Sequence, residues 1–443
     1  MTTIRIGAGA GYSGDRIEPA VELAEQGGLD YLVFECLAER TIALAHLRRL
    51  RAAQAGYDPL LERRMRAVLP AARRGGVRII TNMGAANPLA AMNATVAVAR
   101  ELGLHGLKVA AVTGDDVKHV VSTQDLPLDD GERTSADIED RIISANAYLG
   151  AGPIVTALER GADVVVTGRV GDPAMFLAPM IHAFGWQEDD WTCLGRGTMI
   201  GHLLECAGQL TGGYFAVPGL TEVPGLARLG FPYADVSADG SAVLSKVAGS
   251  GGLLTVDTCK EQLLYEVFDP SAYLQADVTA DFSTARFDQI GKDTVAVSGG
   301  GGRERPARLK VSVGYHDGFI GEGQISYAGP YCEKRGRLAL DIVRERLQLT
   351  GLSPSELDLS LIGIDAASRT GRGGEPAEVR ARVAGRTVTR DHAAAIGAEV
   401  EALYTNGPAG GGGSDSRVRE VVAVASTFID RHIIQPSVVM EVC

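Results

Sequence analysis

A histidine and a glutamate lie one helical turn apart in the segment "TMIGHLLECAGQL", residues 198–210. At about 100° per residue, His202 and Glu205 fall within about 60° of each other on a helix. A carboxylate beside an imidazole fixes the tautomer of the ring and raises its basicity, as general acid–base catalysis needs. The alternative is a solvated polar stripe, and a metal site would need a third ligand that the sequence does not identify. We predict that His202 and Glu205 are catalytic, and we assign no metal ligand.

Further candidates follow two apolar runs. In "FECLAER", residues 34–40, Cys36 could be a nucleophile, but the neighbouring glutamates oppose formation of its thiolate. We therefore rank Glu35 above Cys36, as a catalytic base or as an acceptor of hydrogen bonds from a substrate. In "TNMGAANP", the side chain of Asn82 can donate to a carbonyl or an oxyanion, although asparagine is equally common in turns.

An arginine follows the most apolar of the predicted strands, in "TGRVGDP", residues 167–173. The planar guanidinium of Arg169 suits a carboxylate or phosphate ligand. The alternative is an ion pair with Asp172. We expect Asp172 to be the N-cap of the next helix with Pro173 at its first position, and Arg169 to contact substrate.

The N-terminal segment "GAGAGYSGD" contains the spacing G-x-G-x-x-G at Gly9, Gly11 and Gly14. This spacing also occurs in dinucleotide-binding turns, where the third glycine lies inside a helix. Here Pro19 disfavours so early a helix start, and we predict that Asp15 caps a helix that begins near residue 16. We therefore predict an anion-binding loop in place of a nicotinamide site.

A second glycine-rich stretch, "TNGPAGGGG", covers residues 405–413. It lacks the lysine of a nucleoside-triphosphate loop. Its backbone amides could hold the pyrophosphate of coenzyme A, so we include Asn406, Gly410 and Gly411 among the predicted substrate-binding residues. The alternative is a flexible connector.

Composition excludes several classes of protein. The formal net charge of −12 and an aromatic content of 5% argue against nucleic-acid binding. No apolar run approaches the roughly 20 residues of a membrane helix. Six scattered cysteines, and no basic segment followed by an apolar one at the start, fit a cytoplasmic protein.

Apolar runs alternate with helical segments in the first half of the chain. This pattern predicts an α/β fold, with a parallel sheet covered by helices on both faces. After about residue 285, paired strands and a four-glycine loop predict a smaller α+β domain. We therefore place the domains at residues 1–284 and 285–443, with the site residues at the carboxyl ends of the parallel strands.

Seven segments in their order along the chain resemble the acyclic terpene utilisation AtuA family, a likeness that covers nearly all of the sequence. They are "GAGAGYSGDR", "DYLVFECLAERTIALA", "ITNMGAANP", "NAYLGAGPIVTALERGADVVVTGRVGDPA", "GWQEDDWTCLGRGTMIGHLLECAGQLTGGYFA", "VDTCKEQLLYEVFDPSAYLQADV" and "ALYTNGPAGGGG". This sequence has Gly171 and Pro173 where relatives resemble "GRVADSA", a difference that could alter the pocket. Many relatives also carry a small ferredoxin-like domain that does not follow Cys443 here, and we expect it as a separate partner protein or as dispensable.

The resemblance implies catabolism of branched acyl-CoA thioesters. We expect a lyase or hydratase acting on a small branched carboxylate or its CoA thioester, in a homo-oligomer. No cofactor is identified beyond coenzyme A as part of the substrate. The alternatives are a non-catalytic binding subunit of an acyl-CoA enzyme complex and a nucleotide-dependent transferase or ligase.

Overall fold

A computed structural model of the chain describes residues 3–368 and 376–443. The chain forms two compact units. The first contains residues 1–314 and 424–443, and the second contains residues 315–423. The second unit is therefore an insertion in the sequence of the first.

The strands are β1 Thr3–Ala10, β2 Tyr31–Phe34, β3 Arg78–Thr81, β4 Lys108–Thr113, β5 Ile142–Ala147, β6 Val164–Thr167, β7 Pro232–Ser237, β8 Ala242–Lys246, β9 Tyr273–Leu274, β10 Thr279–Asp281, β11 Arg286–Gly291, β12 Thr294–Ser298, β13 Gly301–Arg303, β14 Arg308–Ala328, β15 Glu356–Ile362, β16 Glu378–Thr387, β17 Gly412–Asp430 and β18 Ser437–Val442. The helices are α1 Glu18–Gln26, α2 Glu39–Arg51, α3 Leu61–Gly75, α4 Pro88–Glu101, α5 Lys118–Val121, α6 Gly152–Glu159, α7 Ala174–Phe184, α8 Trp191–Glu205, α9 Val256–Leu264, α10 Cys332–Leu349, α11 Arg390–Glu401 and α12 Leu403–Asn406.

A ten-stranded sheet forms the centre of the first unit, in the order β11-β12-β8-β7-β1-β2-β3-β6-β4-β18. Its five central strands, from β1 to β4 in this order, are parallel. Every residue of β2 and β6 is buried, as a parallel sheet with both faces covered requires. The predicted α/β fold is confirmed.

The order of the parallel strands reverses once, because β4 lies beyond β6. Connections between parallel strands are right-handed, so the reversal moves α6 to the face opposite α1, α3 and α4. Helices α6, α7 and α8 pack against one another in sequence. The carboxyl ends of β1, β2, β3 and β6 meet at one edge of the sheet, where ligands bind in such folds.

The contacts between residues do not separate the chain into two units at the predicted boundary between residues 284 and 285. The sequence pattern does change there, since β11 and β12 are antiparallel strands. These strands nevertheless extend the ten-stranded sheet, because β12 pairs with β8. At the other end of the sheet, β18 pairs with β4. Strand pairing across the boundary therefore places these segments in the first unit.

The second unit has its own apolar core beneath strands in the order β15-β16-β14-β17. Helices α10 and α11 pack on β16. Strands β14 and β17 run through both units. Antiparallel strands beside helices agree with the predicted α+β architecture of the smaller part.

Helix α8 carries the proposed catalytic pair, and most of its circumference is buried. A helix that is buried on nearly all sides must pack closely against its neighbours. At Gly201 a β-carbon would lie 2.8 Å from the carbonyl oxygen of Pro173, which precedes α7. Glycine therefore allows α8 to approach the rest of the protein closely, and this approach fixes the position of its last turn.

Among the described residues, no helix has both the length and the apolar character needed to cross a bilayer.

Candidate active site

A cavity of about 530 Å³ opens at the carboxyl ends of β1 and β2, and all its lining residues belong to the first unit. The lining joins the N-terminal glycine loop, the turn after β2, the end of α8 and the segment after α9. It includes six acidic residues, namely Asp15, Glu35, Glu39, Asp172, Glu205 and Glu266. None of its lining residues is lysine, arginine or histidine.

The glycine loop starts later in the chain than predicted. Gly9 lies within β1, and the irregular stretch starts at Gly11, where a β-carbon would lie 2.4 Å from the backbone of Cys206. The predicted Asp15 cap is wrong: Ile17 is the N-cap of α1, which begins at Glu18 with Pro19 in its first turn. The Asp15 carboxylate instead accepts hydrogen bonds from the amides of Gly11 and of the next residue, at 2.6 and 3.2 Å.

Two of the loop amides are thus already occupied by a carboxylate of the chain. Gly14 is exposed and not helical, so the loop lacks the helical third glycine of a dinucleotide turn. Burial raises the pKa of Asp15, although the two amide donors oppose that rise.

Glu35 follows β2 and is held by Asn82, which follows β3. Oε1 of Glu35 accepts hydrogen bonds from Asn82 Nδ2 at 2.9 Å and from the amide of Leu37 at 2.8 Å. Oδ1 of Asn82 accepts from the amide of Cys36 at 2.7 Å. Asn82 is fully buried, so it positions Glu35 and does not line the cavity. Burial raises the pKa of Glu35, opposed by the nearby guanidinium of Arg169.

Cys36 is buried against a guanidinium, with Arg64 Nη1 at 3.0 Å from its Sγ. Burial raises the pKa of its thiol well above the ordinary value. A thiol held protonated is a poor nucleophile. The raised pKa therefore disfavours Cys36 as a nucleophile, and the role of Glu35 stays a prediction.

His202 and Glu205 form the pair that the helical spacing predicts. His202 Nδ1 lies 2.8 Å from Glu205 Oε1. The imidazole is almost fully buried between the rings of Tyr273 and Phe282, at centroid distances of 5.2 and 5.8 Å. Glu205 lines the cavity, whereas His202 lies behind it. Burial raises the pKa of Glu205, and the histidine opposes that rise.

Arg169 is placed differently from the prediction. Its side chain is 1% exposed and is paired with Asp172, and it also donates to the backbone carbonyls of Val170 and Leu37. It is not among the residues that line the cavity. Asp172 does not cap α7, whose N-cap is Pro173. The guanidinium therefore acts on the cavity through its charge and through the position of Asp172.

Glu39, the first residue of α2, lines the cavity and is not among the predicted site residues. Its Oε1 accepts a hydrogen bond from Tyr148 Oη at 2.5 Å and lies 3.3 Å from Lys310 Nζ. Burial opposes ionisation here, but these donors lower the pKa of Glu39 to about 2. A carboxylate in the first turn of a helix also faces the positive end of the dipole. The sequence signal that identifies Glu39 is an acidic residue at the start of a helix that follows a parallel strand.

A buried polar chain runs from His46 to the backbone of Arg169. His46 Nε2 lies 3.0 Å from Asn146 Oδ1, and Asn146 Nδ2 donates to Asp115 at 2.9 Å. The same carboxylate oxygen of Asp115 accepts from the amide of Arg169 at 2.9 Å. Burial raises the pKa of Asp115 from 3.8 to about 6.

This raised pKa predicts how stability depends on pH. Because the folded protein binds the proton more tightly than the unfolded chain, the contribution of Asp115 is complete below its unfolded pKa and is lost as pH rises through about 6. From pH 5 to pH 8 this loss is about 1 kcal/mol, and Asp115→Asn should remove it. Urea unfolding of both proteins at both pH values measures the difference. Parallel pH profiles would contradict the assignment.

Asn406, Gly410 and Gly411 belong to the second unit. The side chain of Asn406 donates to the carbonyl of Ala402 and to Thr405 Oγ1, as in a helix end. Their role in substrate binding stays a prediction.

Across residues 3–368 and 376–443, no three or more His, Cys, Asp and Glu side chains are arranged to hold a metal ion. The pair of His202 and Glu205 gains no third ligand of these types.

The fold and the cavity define an α/β protein whose acidic side chains meet at the carboxyl ends of parallel strands. The chain belongs to the acyclic terpene utilisation family AtuA, since the model described as acyclic terpene utilisation family protein AtuA matches residues 4–440. No curated protein and no solved structure matches the chain.

Proposed function

We propose that the chain is an acid–base enzyme of the lyase or hydratase type, acting on the CoA thioester of a small branched acid. One observation carries the proposal. A single cavity is lined by carboxyl groups in opposite environments: Glu39 is held ionised, whereas burial favours the protonated forms of Glu35 and Glu205. Carboxyl groups whose pKa values are driven apart are the usual arrangement of a base and an acid in one site.

The chemistry of a hydratase fits these two environments. In the dehydration direction, a carboxylate such as Glu39 takes the proton from the carbon next to the thioester carbonyl. The electron pair of that C–H bond forms the double bond, and the C–O bond of the β-hydroxyl breaks. A protonated Glu35 or Glu205 gives its proton to the departing oxygen, which leaves as water.

The acidic lining favours the thioester over the free acid. A free carboxylate would enter beside six acidic side chains with no lysine, arginine or histidine in the lining. A thioester carbonyl is neutral, and a protonated carboxyl can donate a hydrogen bond to it. Coenzyme A is therefore proposed as part of the substrate, and we propose a cytoplasmic homo-oligomer as its setting.

A second candidate is a binding subunit of an acyl-CoA enzyme complex, with a separate ferredoxin-like protein among its partners. Apolar side chains beside the cavity favour this candidate. Tyr214 lines the cavity and is 88% exposed, and Leu220 in the same loop is 80% exposed. Exposed apolar groups of this kind are common where another protein binds.

Thermal unfolding in the presence of ligands tests the proposal. Branched acyl-CoA thioesters should raise the unfolding temperature, while the matching free acids and nucleotides should not, because only a bound ligand stabilises the folded state. The stabilising thioesters are then incubated with the protein, and mass spectrometry follows the gain or loss of water or cleavage of the acyl group. Stabilisation without any conversion would favour the binding subunit. The absence of stabilisation by every thioester would contradict both candidates.

A further inference from the structure

The lining of the cavity contains acidic side chains, and the basic side chains that pair with them lie outside it. Two of its carboxylates meet cations that lie outside the lining: Asp172 pairs with Arg169, and Glu39 lies 3.3 Å from Lys310. Glu35 and Glu205 have no lysine or arginine ion pair among the described residues. Several carboxyl groups therefore face one cavity whose lining contains no lysine, arginine or histidine.

A buried oxygen of Glu205 lacks a partner. Glu205 is 9% exposed and lines the cavity, and its Oε2 has no hydrogen-bond partner among residues 3–368 and 376–443. Leaving a buried acceptor unsatisfied has a cost in free energy, and the cost is larger when the group is charged. A ligand that donates a hydrogen bond to Oε2 would remove this cost.

We infer that the cavity binds the positively charged nitrogen of a ligand, an ammonium or guanidinium group, with Glu205 as one of its acceptors. An organic cation fits better than a bare metal ion, because no three of the described side chains are arranged as metal ligands and the volume of about 530 Å³ suits a larger group. The inference does not rest on the proposed function, and the cation is a ligand other than the thioester, because the proposed acid step uses the protonated form of Glu205 whereas the cation binds the ionised form.

Binding should strengthen as pH rises. Four charged or titratable groups act on Glu205, namely His202 on the same helix, Glu266 after α9, Arg169 after β6 and Glu35 after β2. The thiol of Cys206 and the phenol of Tyr273 also lie close enough to interact with it. Burial raises the pKa values of Glu205 and Glu35, and a cation must displace the protons that these groups bind at lower pH to form charge-assisted hydrogen bonds. The cation therefore binds best to the deprotonated cavity.

Isothermal titration calorimetry with agmatine, which carries both an ammonium and a guanidinium group, tests the inference. Agmatine should bind the wild type more tightly at pH 8 than at pH 5.5, and pentanoate should not bind. Glu205→Gln should weaken agmatine binding about tenfold or more through loss of a charge-assisted bond. The matched control is Glu132→Gln, which removes one exposed charge away from the cavity.

Equal losses in the Glu205→Gln and Glu132→Gln proteins would overturn the inference, since they would indicate diffuse attraction to a chain of net charge −12. Tighter binding of Mg²⁺ with displacement of agmatine would also overturn it. If Glu205→Gln fails to fold, Glu266→Gln at the exposed edge of the cavity tests whether a carboxylate of this lining binds agmatine, and a loss no larger than that of Glu132→Gln would overturn the inference. Agmatine binding without conversion of any thioester would retain this inference and remove the proposed function, and the opposite result would remove only this inference.

Discussion

Glu205→Gln should lower turnover of the thioester by about 10²-fold or more while the protein stays folded, as expected when a proton-transfer group is lost. Glutamine keeps the shape of the side chain and can still contact Nδ1 of His202, now 2.8 Å from Oε1. It cannot exchange a proton near neutral pH. The limb of the pH–rate profile that reports Glu205 should therefore disappear along with the rate.

The measurement is kcat against pH for wild type, Glu205→Gln and the control Glu132→Gln. Full turnover in Glu205→Gln would move proton transfer to Glu35, which shares the cavity and has a raised pKa for the same reason, burial. A lower rate with an unchanged pH profile would make Glu205 a positioning residue.

Arg169→Met should destabilise the first unit by about 2–3 kcal/mol, less than the roughly 3–5 kcal/mol of a fully buried ion pair, because Asp172 is 34% exposed and stays partly solvated. The substitution leaves Asp172 without its cation and the carbonyls of Leu37 and Val170 without their donors. Methionine fills much of the space of the arginine side chain, so the loss of stability comes from the polar contacts more than from packing. Urea unfolding measures it.

Arg66→Met is the control, because Arg66 pairs with Glu101 at 2.6 Å on the surface. Exposed pairs contribute about 1 kcal/mol or less. If Arg169→Met unfolds at the same urea concentration as wild type but binds thioester poorly, then Arg169 is a ligand contact, as its position after a strand suggests.

The sequence predicts the parallel core of the fold because that information is local. Buried strands such as β6 read as continuous apolar runs, and helices between them force parallel pairing. The same logic brings Glu35 and Asn82 to one edge of the sheet, and they do meet there. The pairing of His202 with Glu205 follows from helical spacing alone.

The remaining features depend on contacts between distant segments. Asp15 resembles a helix cap in sequence, yet its carboxylate turns back to Gly11. The backbone donors of a glycine loop can be recognised from one short segment of sequence. The acids that line the same cavity, including Glu205 and Glu266, come from separate elements, so their meeting depends on the fold. Their convergence makes the cavity acidic where the N-terminal glycine loop predicted an anion-binding site. The predicted boundary between residues 284 and 285 separates β11 and β12 from the sheet to which they belong. Pairing between strands that are distant in sequence decides which unit a strand joins, and the sequence pattern does not reveal that pairing.

The insertion of residues 315–423 has a consequence for the order in which the protein is made. Strand β4 receives its second neighbour, β18, only after the ribosome has added more than three hundred further residues, on the order of tens of seconds at usual rates of synthesis. Until then one side of β4 is an open hydrogen-bonding edge, the kind of surface that recruits other chains. A nascent chain that stalls within the insertion should therefore need a chaperone at β4, and a chain that lacks β18 should keep that need after release.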